Sequence, residues 1–406
     1  MAEYEAGGGY QSARKALTSL TPEAVRDEVR KAALRGRGGA GFPAGAKWGF
    51  VPQDGAGPRY LCVNADEGEP GTFKDRRILT RTPHLLLEGI IIASYAVGVH
   101  TAFVYIRGEY EMIARRLEAA VAEAYACGCL GRRVLGSEFG LDVLVHRGAG
   151  AYVCGEETAL LESLEGKRGW PRLKPPFPAT IGLFRQPTVI QNVETLANLP
   201  RLMADGAAAF LALGRPKDGG TRLFGVSGTV VRPGLYERAV GTPLREIIFE
   251  DAGGLPPGRR LKAVIPGGLS SPLLLPDEIN VAMDVDSLAA AGSMLGSAGI
   301  IVIADDTPIV TVLDRMASFY AHESCGQCTP CRLGTSWLAK IASRLAKGEG
   351  RPGDPAEIER VAGLVRGRTL CPLGDAAALP ILALTRKFRT ELDAAVAHPR
   401  PPEAPR

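Results

Sequence analysis

Tyr60-Leu61-Cys62-Val63-Asn64-Ala65-Asp66-Glu67-Gly68-Glu69-Pro70-Gly71 is the stretch from which the fold is read. Its first four residues are apolar or aromatic and predict a short buried strand. The strand runs into a loop with three carboxylates, Asp66, Glu67 and Glu69, and the loop closes on a glycine. Such a loop belongs at the carboxyl end of a strand in an α/β sheet, where ligands bind. Downstream, residues 85–95 form an apolar helix and residues 101–106 a strand rich in β-branched and aromatic residues. An amphipathic helix follows over 111–125, then a strand over 141–145, a second Gly-rich loop, and a helix over 156–164. This alternation predicts a mostly parallel α/β sheet. Upstream, Thr21-Pro22-Glu23 supplies an N-cap, a proline for the first helical position and an early acid for a helix over 21–35.

Past this region the texture changes. Residues 173–178 are Pro-rich and form a rigid loop or a boundary. Residues 224–231 and 235–240 read as a hairpin around Arg232-Pro233-Gly234, followed by a helix over 244–251 and strands at 262–265 and 300–304. That is a small α+β module of roughly 85 residues. From Pro308 the pattern is helical, with Ile309, Val312, Leu313, Met316, Phe319 and Tyr320 on one face. Residues 398–406, with four prolines, read as a disordered tail. No internal repeat is present.

Composition limits the function classes. The 406 residues allow two or three domains, and 46% apolar with 23% charged residues is ordinary for a soluble globular chain. A net charge of +4 is too small to favour nucleic acid or an anionic membrane surface. Residues 1–20 lack the apolar core of a signal peptide. Residues 89–106 are about long enough to span a bilayer, but His100 interrupts them, Gly98 and Gly108 punctuate them, and Glu88 and Arg107 flank them. They read as a buried helix followed by a buried strand. An intracellular chain is expected, with its eight cysteines as thiols or metal ligands rather than disulfides.

The strongest chemical signal is Cys325-x2-Cys328-x2-Cys331, with Cys371 forty residues further on in Cys-Pro-Leu-Gly. Four soft thiolates suit zinc or iron–sulfur. The triple run favours a [4Fe–4S] cubane, because three corners are then reached from one tight loop. Structural zinc more often uses two separated Cys-x2-Cys knuckles. Cys62, Cys127, Cys129 and Cys154 show no spacing that closes a site and read as buried free thiols. His322, just before the cluster loop, reads as a donor to a sulfur or as a surface histidine at a helix end.

Three loops point to an anionic, ring-bearing ligand. Residues 34–48 contain five glycines, three basic residues (Arg35, Arg37, Lys47) and no acid, with the stacking surfaces Phe42, Trp48 and Phe50 in and beside them. Glycines let N–H groups approach an anion and the cations neutralise it. The segment matches neither a Walker loop nor the usual dinucleotide fingerprint. The second loop runs from Arg147 through Gly148, Gly150, Tyr152 and Gly155 to Glu156 and Glu157. Acids at a helix start favour its dipole and repel a phosphate placed there, so a ring, a ribose or water suits them better. Taken in isolation, the pair reads as helix capping. The three carboxylates after the first strand suit a divalent metal, proton transfer or ribose hydroxyls, or a solvated turn.

Together, residues 35–48, 64–71, 148–157 and 188–195 and the four cysteines resemble the NADH-binding flavoprotein component (the F subunit) of respiratory complex I, NADH:quinone oxidoreductase. The resemblance covers roughly residues 8–395. The family includes the diaphorase subunits of NAD-linked formate dehydrogenases and hydrogenases. Those often carry extra ferredoxin-like cysteine motifs, and none occurs in this chain. A zinc-stabilised interaction module without flavin is the alternative of another class, and the intact loops oppose it. The resemblance implies a Rossmann-like FMN- and NADH-binding domain over 1–215, a ubiquitin-like (β-grasp, SLBB) module over 221–306, and a helical bundle with one [4Fe–4S] cluster over 307–397. It implies an FMN site of Gly36, Arg37, Gly38, Lys47, Asn64, Asp66, Glu67, Tyr152, Gly155, Glu156, Glu157, Ile190, Gln191, Asn192 and Thr195. It implies NADH contacts at Gly39, Ala40, Phe42, Lys47, Phe50, Glu67, Gly68, Glu69, Lys174 and Phe177, with Glu69 disfavouring a 2′-phosphate. Cys325, Cys328, Cys331 and Cys371 would ligate the cluster. No side chain is implied as catalytic acid or base, because the flavin carries the chemistry. The implied partners are a thioredoxin-like [2Fe–2S] subunit and the large iron–sulfur subunit of the peripheral arm. The implied location is cytoplasmic, at the inner face of the plasma membrane without insertion. Two departures stand out: Gln191-Asn192 replaces a frequent asparagine pair, and the N-terminus is shorter by roughly one helix.

Overall fold

Strand β1, Tyr60–Ala65, lies at the centre of the first sheet. The structure is a computed structural model and describes residues 1–52 and 57–397. β1 pairs in parallel with β2, Thr101–Ile106, on one side and β4, Thr188–Asn192, on the other. β3, Asp142–Arg147, pairs in parallel with β2. The order β3-β2-β1-β4 changes direction between β1 and β4. Crossovers on opposite sides of that pair leave a crevice beyond its carboxyl ends. The sequence foretells β1, β2 and β3 within two residues. β4 has only the short apolar run Val189-Ile190 before two amides, too little for a period.

Helix Pro83–Val97 links β1 to β2 and is buried on nearly every face. A helix apolar all round is a core helix, as expected for this membrane-length stretch. Its one carboxylate, Glu88, accepts from Tyr4 Oη at 2.5 Å and from the N–H groups of Tyr10 at 2.8 Å and Ala13 at 2.9 Å. Those bonds offset the cost of burying the acid. Gly98, at φ 72°, ends the helix in the left-handed region and turns the chain into β2. Among the described residues no helix is long and apolar enough to cross a membrane.

The helix that starts at Thr21 is capped as expected, with Thr21 Oγ1 accepting from Ala24 N–H at 3.2 Å. It stops at Lys31 rather than 35, because Ala33 takes φ 48° and the chain reverses so that Arg35 pairs with Pro43.

The second sheet has β5, Thr221–Gly228, and β6, Gly234–Ala239, as an antiparallel hairpin. β8, Gly299–Ala304, lies parallel to β5 and antiparallel to β7, Leu261–Ile265. The order β6-β5-β8-β7 with a central parallel pair is the ubiquitin-like arrangement. The helix expected over 244–251 is a short turn, Leu244–Glu246, continued by a π-helical turn, Ile247–Asp251.

The remainder is helical: Ile309–Glu323, Thr329–Ala346, Asp354–Val365, Leu373–Lys387 and Arg389–Ala397. One apolar cluster joins Cys62, Tyr105, Leu160 and Ile190 beneath the first sheet to Met316, Tyr320, Leu338 and Ala378 of these helices. The helical region is thereby seated against the same sheet whose crevice faces the glycine-rich loops. The tail expected at 398–406 lies outside the described residues.

Candidate functional site

The crevice between the carboxyl ends of β1 and β4 gathers most of the residues singled out in the sequence. Asn64, one residue before the end of β1, and Asn192, the last of β4, lie in register. The first glycine-rich loop crosses β4, held by the Arg37 N–H donating to Thr195 Oγ1 at 2.8 Å. A Cβ at Gly38 would stand 3.0 Å from the Asn192 Cβ, so glycine is what lets the loop sit this close. Beside Gly39, at φ +129°, a Cβ would meet nothing within 4 Å, so the outer side of the loop is open.

The expected cations are already engaged. Arg37 is 0% exposed and donates to Asp218 Oδ1 at 2.6 Å and to Gly219 C=O at 2.7 Å. Its guanidinium is a strut under the loop rather than a ligand for a phosphate. Arg35 donates to Lys217 C=O, and Lys47 pairs with Glu157 at 2.9 Å. An anion in the crevice would therefore be held chiefly by backbone N–H groups of the glycine loop.

The three carboxylates after β1 have three different fates. Asp66 is largely buried; burial pushes its carboxyl up to about 7 against the pull of Arg107. Its Oδ2 has no partner, and neither does Nε2 of Gln191 at the end of β4. Two unpartnered buried polar atoms at the crevice floor fit a ring that both donates and accepts hydrogen bonds. Asn64 braces this floor, donating to Gly155 C=O at 2.8 Å and accepting from Asp66 N–H at 3.1 Å. Glu67 turns away from the crevice. It accepts from the N–H groups of Asp75 and Arg76 at the start of helix Asp75–Arg81 and from Tyr110 Oη. Its backbone carbonyl is taken up as well, accepting from Arg107 at 2.6 Å. Glu69 accepts from Tyr152 Oη at 2.6 Å and from Ser270 N–H at 2.7 Å, and burial raises its pKa. Among the described residues these acids do not converge within metal-ligand reach, which leaves the divalent-metal reading without support.

The raised Asp66 pKa has a sign that can be checked. Folding favours the neutral acid, so both states are protonated below the ordinary value of 3.8. As pH rises toward 7 the unfolded chain ionises first and the fold loses stability. Asp66→Asn should abolish that loss, gaining on the order of 1–3 kcal/mol at pH 8 and nothing at pH 3.5. Denaturant unfolding of the flavin-free protein at the two pH values reads this directly.

Glu156 caps helix Glu157–Leu164, accepting from Thr158 and Ala159 N–H, both at 2.9 Å. Its other oxygen accepts from Lys174 at 3.0 Å, and Glu157 binds both Lys174 at 2.7 Å and Lys47 at 2.9 Å. Helix capping and an ion pair with Lys174 thus share one side chain. The expected stacking residues Phe42, Phe50 and Phe177 are 48%, 59% and 57% exposed, unusual for phenylalanine. Phe42 and Phe50 face each other at 6.0 Å. Ile190 is buried beneath the crevice.

Residues not anticipated from sequence hold the floor in place. Lys74 is 2% exposed and bridges Asp75 at 2.8 Å and Glu194 at 2.9 Å. Burial alone would lower its pKa; Asp75, Glu194 and Glu67 outweigh it and hold the lysine charged. Asn192 Nδ2 donates to Asp75 at 2.7 Å, tying this cluster to β4. No local pattern marks Lys74, since Glu194 is distant in sequence. Arg107 and Glu109, just beyond β2, could have been read from the strand-end rule that found Asn64.

The cysteine loop adjoins this crevice. Cys325 and Cys328 lie between helices Ile309–Glu323 and Thr329–Ala346, Cys331 in the first turn of the second, and Cys371 just before helix Leu373–Lys387. Burial pushes the Cys331 thiol up to about 11 and the Cys371 thiol up to about 12; Cys325 is among the charges acting on both. Among the described residues, no three of these sulfurs lie mutually within 4.8 Å. Tetrahedral zinc, with bonds of about 2.3 Å, requires sulfurs about 3.8 Å apart, a spacing that no three of them share. Tyr152 N–H donates to Glu323 at 3.1 Å, and the Tyr152 ring meets Phe319 edge-on at 5.2 Å. The crevice loop thus touches the helix that leads into the cysteine loop, and the loop itself is bonded by Trp170 Nε1 donating to the Cys325 carbonyl at 3.2 Å. His322 is an exposed helix-end histidine beside Glu323, in agreement with its surface reading. Cys62, Cys129 and Cys154 are buried as expected. Cys127 is not: it follows the last turn of helix Glu111–Ala126, where Gly128 at φ 73° swings the chain outward.

A parallel sheet with a ligand crevice at its switch point, beside four thiols drawn from two segments, defines a flavin- and iron–sulfur-bearing dehydrogenase component. The family of the Nuo51 FMN-binding domain matches residues 29–201, and that of the NADH-ubiquinone oxidoreductase-F iron-sulfur binding region matches residues 311–395. The second F subunit of the NADH-quinone oxidoreductases of Rhizobium meliloti is 54% identical over 99% of this chain and 96% of its own length. The NADH-quinone oxidoreductase F subunit of Rickettsia bellii is 50% identical over 94% of this chain and 92% of its own. Among solved structures, an NAD+-reducing [NiFe]-hydrogenase in the H2-reduced state aligns with a TM-score of 0.86 at 38% identity, over 96% of this chain. This chain spans 64% of the length of that hydrogenase chain. The chain belongs to the family of NADH-quinone oxidoreductase F subunits.

Proposed function

We propose that this chain is the NADH-oxidising component of an NADH:quinone oxidoreductase, with FMN in the β1/β4 crevice and one [4Fe–4S] cluster on Cys325, Cys328, Cys331 and Cys371. The observation that carries the reading is that Tyr152 of the crevice loop bonds Glu323 and packs on Phe319, on the helix that leads into the cysteine loop, while Trp170 donates to the Cys325 carbonyl itself. When bound, FMN supplies hydride acceptance from NADH, and the cluster supplies a one-electron exit.

The side chains orient and enclose. The N–H groups of residues 38–41 face the phosphate, and Asn64, Asp66, Gln191 and Asn192 face the flavin ring. Glu156 and Glu157 are neutralised by Lys47 and Lys174, which keeps the crevice from repelling an anionic cofactor. Phe42, Phe50 and Phe177 offer the open stacking surface for adenine. We assign residues 1–215 to flavin and nucleotide binding, 221–306 to the ubiquitin-like module and 307–397 to the cluster bundle. The name shared by the relatives and the absence, among the described residues, of a membrane-crossing helix support membership of a larger complex as a peripheral component. The partners assigned are the thioredoxin-like [2Fe–2S] subunit and the large iron–sulfur subunit, at the inner face of the plasma membrane. The greater identity to quinone-linked relatives than to the hydrogenase favours this assembly over a soluble diaphorase.

An anaerobic absorbance spectrum before and after NADH tests the reading. A flavin band near ~450 nm over a broad iron–sulfur shoulder, bleached by NADH, is expected; a colourless protein overturns it. Glu69→Gln should raise the efficiency ratio of NADPH to NADH by about tenfold, roughly 1.4 kcal/mol, by removing repulsion of a 2′-phosphate. Steady-state kinetics with both nucleotides measures the ratio, and an unchanged value removes Glu69 from nucleotide selection.

A further inference from the structure

A second cluster of ligating side chains lies on the far side of the first sheet, and none of the flavin, nucleotide or cubane readings uses it. Cys127 and Cys129 flank Gly128 at the end of helix Glu111–Ala126, with their sulfurs 3.2 Å apart. Glu5, on the short helix Ala2–Ala6, brings a carboxylate oxygen within 4.8 Å of both. Its position is set by its neighbour Tyr4, whose hydroxyl is bonded to the buried Glu88 at 2.5 Å. Three donors from segments more than a hundred residues apart therefore meet at one point.

We propose that Glu5, Cys127 and Cys129 bind a thiophilic divalent cation, with zinc as the natural occupant and a fourth position open to water. Two thiolates and one carboxylate exclude magnesium and calcium, which take oxygen-only sets. Zinc with bonds of about 2.3 Å spreads its sulfurs to about 3.8 Å, so the two thiols need to part by less than an ångström. Both stand at the carboxyl end of a helix, where a cation is favoured. Cys127 Sγ already lies 3.4 Å from the Ala124 carbonyl of the last turn. Binding displaces the two thiol protons and involves no change of oxidation state. A disulfide between the same cysteines would leave Glu5 without a role. The bound ion would tie the first helix to the end of helix Glu111–Ala126.

The protein with its flavin and cubane in place is treated with a mild chelator, exposed to one equivalent of zinc and desalted; zinc and iron are then counted. Wild type should keep one zinc per chain with iron unchanged, and C127S/C129S should keep none with the same iron. Glu5→Gln, an exposed change, should lose its zinc at chelator concentrations that wild type withstands. Equal zinc in wild type and C127S/C129S overturns the proposal. So does wild type that keeps no zinc, or one recovered with a Cys127–Cys129 disulfide in its place.

Discussion

Cys328→Ala is expected to strip the chain of its cubane while leaving FMN bound. Cys328 precedes helix Thr329–Ala346 and is one of four thiols drawn from two loops. The remaining three cannot satisfy four irons, and Cys154, which lies near enough to Cys325 to feel its charge, has its thiol engaged by hydrogen bonds to Tyr105 and Ser163. Iron should fall from about four per chain toward zero, with the broad iron–sulfur absorbance lost. The crevice is built from β1, β4 and the glycine loops, so its flavin band and its bleaching by NADH should persist. Reduction of one-electron acceptors through a cluster signal should vanish. Iron counting with an anaerobic spectrum separates the two parts, and a variant that keeps a reducible cubane removes Cys328 from the ligand set.

Gly89→Val should have the larger effect on stability. Gly89 lies on the side of helix Pro83–Val97 that packs on helix Val193–Ala197, where an added Cβ would collide with the Leu196 carbonyl. Both partners are backbone in buried helices, so the clash is relieved only by moving one helix. A cost of about 3 kcal/mol or more is expected. Helix Val193–Ala197 opens with Asn192 as its cap and carries Thr195, which holds the glycine loop through the Arg37 N–H. FMN should therefore be lost more readily as well. Gly363→Ala is the contrast: it lies in helix Asp354–Val365 with nothing within 4 Å of an added Cβ, and should stabilise by about 0.5–1 kcal/mol. Thermal unfolding of both variants, with flavin retention measured after gel filtration, tests the pair.

The parts of this fold that a reader can take from the sequence are those with a local physical signature. β2 shows itself because Thr101, Val104, Tyr105 and Ile106 are β-branched or aromatic, and the cap at Thr21 because its partner is three residues away. The cysteine spacing shows a cluster because the ligands of one loop are close in sequence. What stays hidden depends on distant partners. Arg37 looks like a phosphate ligand until Asp218 is seen beneath it. Glu67 looks like a member of an acidic site until it is found capping helix Asp75–Arg81. Lys74 carries no mark at all, since its second acid, Glu194, lies beyond three strands. Cys127 and Cys129 give no site by spacing because the third donor, Glu5, is on another segment.

The two oxygens of Glu69 are fixed from opposite directions, one by Tyr152 of the flavin-side loop and one by the Ser270 backbone in the connection between β7 and β8. If Glu69 screens the nucleotide as proposed, cofactor preference is inherited jointly from two stretches of gene. A recombinant in which the ubiquitin-like segment is exchanged for one whose loop runs differently at residue 270 would keep every residue of the crevice and still displace the N–H that aims its acid. In a breeding experiment of this kind, selectivity between NADH and NADPH would segregate with a module that never meets the coenzyme.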